Sequence, residues 1–116
     1  MIAKRFRLAA EQIRPLVSGF GNCLATDRIV VDGQRVSYCY REAPDSDHDS
    51  GWRFFAGDED QGYVENPGNI GVYDVNTIAN YDPQIIRLLE SPEGSAFERS
   101  THGEFEPVEF SIPEET

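Results

Sequence analysis

Leu24-Ala25-Thr26-Asp27-Arg28-Ile29-Val30-Val31-Asp32-Gly33-Gln34-Arg35-Val36-Ser37-Tyr38-Cys39-Tyr40-Arg41 is the stretch on which the fold turns. β-Branched and aromatic residues flank Asp32-Gly33. They predict two strands, Leu24 to Val31 and Gln34 to Arg41, joined by a two-residue hairpin turn. With those two residues as the loop, Val31 faces Gln34 and Ile29 faces Val36. Ala25, Ile29, Val31, Val36, Tyr38 and Tyr40 then share one face, assigned to the core. Thr26, Arg28, Ser37, Cys39 and Arg41 share the other. In this register Cys23 and Cys39 point to opposite faces, so the expectation is two reduced thiols packed as small hydrophobes. With no Cys-x-x-Cys pair and two distant histidines, no zinc site is expected.

Outward from the hairpin, Trp52-Arg53-Phe54-Phe55-Ala56 reads as a central strand, with Trp52 and Phe54 facing one way and Arg53 and Phe55 the other. Ile70 to Tyr73, Ala96 to Arg99 and Phe105 to Phe110 read as further strands. Asp74 is placed to cap a short helical turn through Asn76 to Ala79. Asp82-Pro83 gives a helix start, with Ile85, Ile86, Leu88 and Leu89 as its apolar stripe and Pro92 and Gly94 as its stop. Phe6, Ala9, Ala10, Ile13 and Val17 fall near helical spacing, which predicts a short amphipathic helix over residues 3–17. The predicted architecture is therefore α+β, a single domain with an antiparallel sheet of about five strands, a central hairpin and two to three helices. Residues 1–20 form an N-terminal helix or arm, 21–110 the α+β domain and 111–116 a tail.

Length and charge bound the function. The chain has 116 residues, enough for one hydrophobic core, and a formal charge of −11. The charge is uneven, because residues 42–116 carry 18 acidic and 3 basic groups. Nucleic acid and anionic membranes are disfavoured as partners, since each calls for lysine and arginine. No stretch approaches the ~20 apolar residues of a membrane span. The basic start at Lys4, Arg5 and Arg7 is not followed by an apolar run, so the cytoplasm is the expected compartment.

Three constellations are candidates for chemistry. Asp45-Ser46-Asp47-His48-Asp49-Ser50-Gly51 has the alternating acids of a calcium loop. Its glycine is one place late, however, and position twelve is Ala56 rather than a glutamate. A solvated loop with Asx turns is the plainer reading. His48 as a general base would be flanked by Asp47 and Asp49, whose charges favour its protonated form. Glu42 to Tyr63 as a whole interleaves acids with aromatics. The plainer reading makes Trp52, Phe54 and Phe55 core residues; the functional one offers a negative surface to a basic partner. Glu42, Asp45, Asp47, Asp49, Trp52, Asp58, Glu59 and Asp60 are then the candidate partner-binding residues, and no metal, cofactor or catalytic residue is assigned.

Several stretches are familiar together. They are Tyr40-Arg41-Glu42, Pro44-Asp45, Asp49 to Phe55 through Gly57-Asp58-Glu59, Asn69-Ile70-Gly71-Val72-Tyr73-Asp74, Asn76-Thr77-Ile78, Asn80-Tyr81-Asp82-Pro83, and Ser91-Pro92 to Gly94 through Arg99. Over about residues 21–110 they resemble the immunity protein 33 family, a small bacterial family first catalogued as a domain of unknown function. The resemblance implies an immunity protein of a polymorphic toxin system, which binds and neutralises a toxin domain without catalysis. It brings no catalytic residues. Combined with the acidic charge, it makes a basic toxin such as a nuclease the expected partner. The alternatives are a regulatory domain binding a small ligand or cation, and a small hydrolase using His48.

Overall fold

The computed structural model describes residues 4–110, so the predicted tail 111–116 lies outside the described residues. Six strands form one sheet: β1 (Asn22–Thr26), β2 (Tyr38–Arg41), β3 (Asp49–Phe55), β4 (Ile70–Asp74), β5 (Ala96–Arg99) and β6 (Phe105–Val108), in the order β4-β1-β3-β2-β5-β6. Three short α-helices, α1 (Asp27–Val30), α2 (Gln61–Glu65) and α3 (Val75–Tyr81), and three 3₁₀ segments, Ala10–Gln12, Pro67–Asn69 and the longest, Pro83–Leu88 (the 3₁₀ helix below), complete the α+β domain. The sheet is mixed rather than all antiparallel, because β1 runs parallel to β3.

That parallel pair replaces the expected hairpin. The chain leaves β1 at Thr26 and turns directly into α1, where the Val31 and Asp32 amides donate to the Asp27 carbonyl at 2.8 and 3.0 Å. The Gly33 amide donates to Ile29 at 3.0 Å, and Gly33 adopts a φ of 79°. Asp32-Gly33 therefore ends a helix instead of joining two strands; left-handed glycine serves both purposes. Ile29, Val30 and Val31 are three consecutive apolar residues with no period-two signal, and α1 buries the first two completely. Freed from the hairpin register, β2 also takes the opposite parity. Cys39 is buried, whereas Tyr38 and Tyr40 are only half-buried on the other face. Cys23 and Cys39 are free, buried thiols on the same face of the sheet.

The N-terminal segment corrects a second expectation. A single 3₁₀ turn at Ala10–Gln12 stands where a helix over 3–17 was predicted. Pro15 removes a helical donor. The segment instead lies as an extended strap on α3, whose side chains take over its backbone polar groups. Arg14 N–H donates to Asn80 Oδ1 at 2.9 Å, and the Leu16 and Val17 amides share Asn76 Oδ1 at 2.8 and 3.1 Å. Asn76 and Asn80 each donate back to the Arg14 carbonyl at 2.9 Å.

One face of the sheet is closed by α3 and the 3₁₀ helix. Cys23, Ala25, Trp52, Phe54 and Cys39 point into it and meet Val75, Ile78, Ala79, Ile85 and Leu89. Trp52 stacks on Phe54 with ring centroids 5.8 Å apart, and its indole N–H donates to the Leu89 carbonyl at 3.2 Å. As predicted, Asp74 caps α3 and Asp82 caps the 3₁₀ helix, accepting from the Asn76 and Gln84 amides. Asp82 is 2% exposed and does more than cap. It also accepts from Val36 N–H and from the Arg99 guanidinium, while Arg99 donates to the Val36 and Gly103 carbonyls. A buried charge in that position is tolerable because Asp82 accepts three hydrogen bonds and Arg99 donates four, to Asp82, Gln84, Val36 and Gly103.

The strap provides a direct test. Asn76→Ala removes the acceptor of two strap amides, worth about 1–2 kcal/mol of strap docking at the net value of a partly exposed hydrogen bond. Hydrogen exchange at Leu16 and Val17 is expected to quicken by about tenfold, while the β3 amides keep their protection.

Candidate functional site

The opposite face of the sheet is left open. Strand register places two rows of side chains across it. The first runs Val72, Leu24, Arg53, Tyr40, Ala96, Val108; the second runs Ile70, Thr26, Phe55, Tyr38, Glu98, Glu106. The excursion through Gly57, Asp58, Glu59 and Val64 walls one side, and Glu42 stands at an end. Between them lies a groove of about 760 Å³, floored by Leu24, Arg53, Phe55, Tyr38 and Tyr40. That volume is in the range of pockets that enclose small molecules or the side chains of a bound segment.

Arg53 sits at the middle of the sheet with its side chain 2% exposed. A guanidinium there requires counterions, and the acidic loop between β2 and β3 folds back to supply them. Asp49 binds it with both oxygens, to Nη1 at 2.9 Å and Nη2 at 2.7 Å. Glu42 takes Nε at 2.6 Å, and Asp45 lies 3.6 Å from Nη2. Four residues apart in a regular strand, Asp49 and Arg53 would be about 13 Å from each other. A bulge brings them together: two steps along β1, Asn22 to Leu24, are matched by four along β3, Asp49 to Arg53. Gly51 makes the bulge with a φ of 89°, and a Cβ there would lie 2.1 Å from the Glu42 carbonyl oxygen. Its amide donates to Asp49 Oδ1 at 3.1 Å, fixing the carboxylate.

The electrostatics follow from this contact. The Arg53 hydrogen bonds hold the Asp49 carboxyl well below the usual carboxylate range, against the opposing effect of burial. Burial alone would lower the Arg53 pKa, but its bonds to Asp49 and Glu42 outweigh burial and raise it. Burial also pushes the phenols of Tyr38 and Tyr40 up, helped by Glu98 beside the first and Glu42 beside the second, so both O–H groups stay protonated at neutral pH. Burial pushes the Cys39 thiol up to about 12, with Asp82 adding to it, which leaves no thiolate for nucleophilic chemistry.

The candidate residues read from the sequence separate into groups. Glu42 and Asp49 point inward to Arg53, with 28% and 12% of their side chains exposed. Glu59 also turns inward, accepting from the Thr26 hydroxyl and from the Ala56 and Gly57 amides at 2.8 Å each. Trp52 is fully buried on the closed face. Asp60 is exposed and caps α2 by accepting Tyr63 N–H at 2.8 Å. Asp58 Oδ1 lies 3.4 Å from Arg28 Nε, and Arg28 in turn lies over the Tyr63 ring. Asp45 and Asp47 project into solvent with His48 beside them. Among the described residues no three His, Cys, Asp or Glu side chains converge as metal ligands. No helix among them is long and apolar enough to cross a membrane.

The open-face residues Tyr38, Tyr40, Phe55, Glu98 and Glu106 are not among those candidates. The two tyrosines are assigned to the core by the hairpin register. The alternation Tyr38-Cys39-Tyr40-Arg41 carries the signal that would have found them, once Cys39 rather than the tyrosines is taken as the buried set.

The family model described as Immunity protein Imm33 domain matches residues 23–109. No curated protein and no solved structure matches the chain.

Two outcomes test this geometry. Asp49→Asn is expected to cost about 3 kcal/mol at pH 7, the low end for breaking a buried ion pair, because Glu42 remains on Arg53. The folded-state pKa of Asp49 is depressed, so its contribution is complete above the unfolded carboxylate value and fades as pH falls toward the folded one. The difference in thermal midpoint between wild type and variant should therefore be widest at neutral pH and narrow below about pH 4. Gly51→Ala should cost more than the roughly 1–3 kcal/mol of positive-φ strain alone, because its methyl group meets a carbonyl. Chemical denaturation measures it.

Proposed function

Because the chain belongs to the immunity protein Imm33 family, we propose that it is a non-enzymatic immunity protein that neutralises a bacterial toxin domain by binding and covering it. The observation that carries this reading is the family match over residues 23–109, which takes in β2 to β6 whole and β1 from Cys23. The arrangement suits binding more than turnover. The buried thiols are held in the neutral form, His48 stands on an exposed loop between two aspartates, and the buried carboxylates are spent on arginines.

The charge bears on the partner. With −15 net over residues 42–116, a basic toxin fits, for example a nuclease whose groove is cationic for its own substrate. The exposed acids Asp45, Asp47, Asp58 and Asp60 would act mainly on the association rate, since unburied charges steer encounter more than they hold a complex. Glu42, Asp49 and Glu59 shape the loops that carry those acids, and Trp52 supports β3 from behind.

Co-expression with a candidate toxin domain taken from a neighbouring gene provides the test. Wild type should restore growth, and titration in vitro should abolish toxin activity at one equivalent. Inactivation of many toxin molecules by one copy would contradict a non-enzymatic role. Reversing Asp45, Asp47, Asp58 and Asp60 to lysine should slow association by about tenfold at low salt. An unchanged rate would remove the electrostatic component.

A further inference from the structure

The open face carries a feature that neither the ion-pair network nor the exposed loops use. The rings of Tyr38, Tyr40 and Phe55 form a triangle with centroids 5.9, 6.0 and 5.9 Å apart. All three are half-buried, Tyr40 with the Phe110 ring edge-on to it at 5.3 Å, and all three still line the groove. In the same row, Glu98 lies directly across from Tyr38, and Glu106 directly across from Glu98. Neighbouring strands are about 4.8 Å apart, so the two carboxylates stand beside the aromatic floor and beside each other. Both are exposed, and among the described residues neither has an ion-pair or hydrogen-bond partner. Like charges directly opposite on paired strands destabilise a sheet. Both arginines that line the groove are already paired, Arg53 with Asp49, Glu42 and Asp45 and Arg99 with Asp82.

Aromatic faces attract cations through the ring quadrupole, and an arginine that also reaches a carboxylate gains a directional bond. We propose that this groove is the docking site for a basic protein segment, in which an arginine or lysine of the partner lies over Tyr38, Tyr40 and Phe55 and pairs with Glu98 and Glu106. The partner's identity as a toxin rests on the immunity reading; the chemistry of the groove does not. Charge complementarity sets the occupant: an acidic segment would meet two uncompensated carboxylates, and a purely apolar one would leave them unpaired. A volume of about 760 Å³ takes the side chains of a segment rather than a whole domain. The site sits on the floor of the open face, so it adds a holding contact to the steering acids of the exposed loops.

The experiment is a titration of isotope-labelled protein with an octa-arginine peptide, with octa-glutamate as control, at about 150 mM salt, where exposed charges are screened beyond ~8 Å. Saturable shifts are expected at Tyr38, Tyr40, Phe55, Glu98 and Glu106, with none from octa-glutamate. Glu98→Gln combined with Glu106→Gln should weaken binding at least about fivefold and raise the thermal midpoint, because the cross-strand repulsion is relieved. Asp47→Asn, on the exposed loop and outside the groove lining, should leave the affinity within about twofold at this salt. Absence of saturable shifts, shifts confined to the loops 42–49 and 57–60, or an unchanged affinity in the Glu98/Glu106 variant would each overturn the proposal. The growth assay keeps the two readings apart. If wild type and the Glu98/Glu106 variant protect equally, the groove is not the docking site but the immunity role stands. If wild type gives no protection, the immunity role fails, and the peptide titration still decides the groove.

Discussion

A positive charge in the middle of a sheet governs this structure. Arg53 lies on β3, flanked by β1 on one side and β2 on the other, with almost no exposure. Its desolvation has to be offset by partners in good geometry, or the strand would not form there. The chain meets that demand locally, by bulging β3 at Gly51 so that Asp49 turns back onto Arg53, and by drawing Glu42 in from the end of β2. The loop between these two acids is thereby tethered at both ends. Its shape is a consequence of the arginine more than of its own turn residues.

The two faces of β3 then have different roles. Trp52 and Phe54 anchor the closed face against α3 and the 3₁₀ helix, and the Asp82 and Arg99 pair fastens that helix to β5 and to the Val36 segment. Arg53 and Phe55 furnish the open face. Because the closed face supplies the hydrophobic core, the open face can remain partly uncovered. A stable sheet with one available aromatic face is the geometry on which the proposed docking rests, and the chain belongs to the Imm33 family.

Much of the secondary structure was legible. Asp74 and Asp82-Pro83 cap helices as read, the strands around Phe54, Val72, Phe97 and Phe105 are present, and the facing of Trp52 against Arg53 follows simple alternation. The topology was less so. Asp32-Gly33 fits a hairpin and a helix end equally well by local chemistry, and only the packing of Ile29 and Val30 under α3 decides between them. The hairpin reading reverses the parity of β2 and assigns Tyr38 and Tyr40 to the core, whereas they stand half-buried on the open face. The N-terminal strap was obscured for a related reason. Its apolar spacing is near-helical, but the partners of its amides, Asn76 and Asn80, lie some sixty residues away. The acids of 42–60 were visible as a cluster, yet nothing local says which of them turn inward. The one available clue was Ser50-Gly51 inside a strand pattern, a signature of a bulge.

The sheet depends on Arg53 being a buried, permanently paired cation. Side-chain nitrogen NMR of the arginine guanidinium groups observes this directly. Arg53 should give a resolved Nε–H resonance, shifted from the random-coil position by its bond to Glu42, exchanging slowly with solvent, and persisting as pH is lowered from 7 toward 3 while the protein remains folded. An averaged, rapidly exchanging Arg53 signal, indistinguishable from that of exposed Arg35, would contradict it.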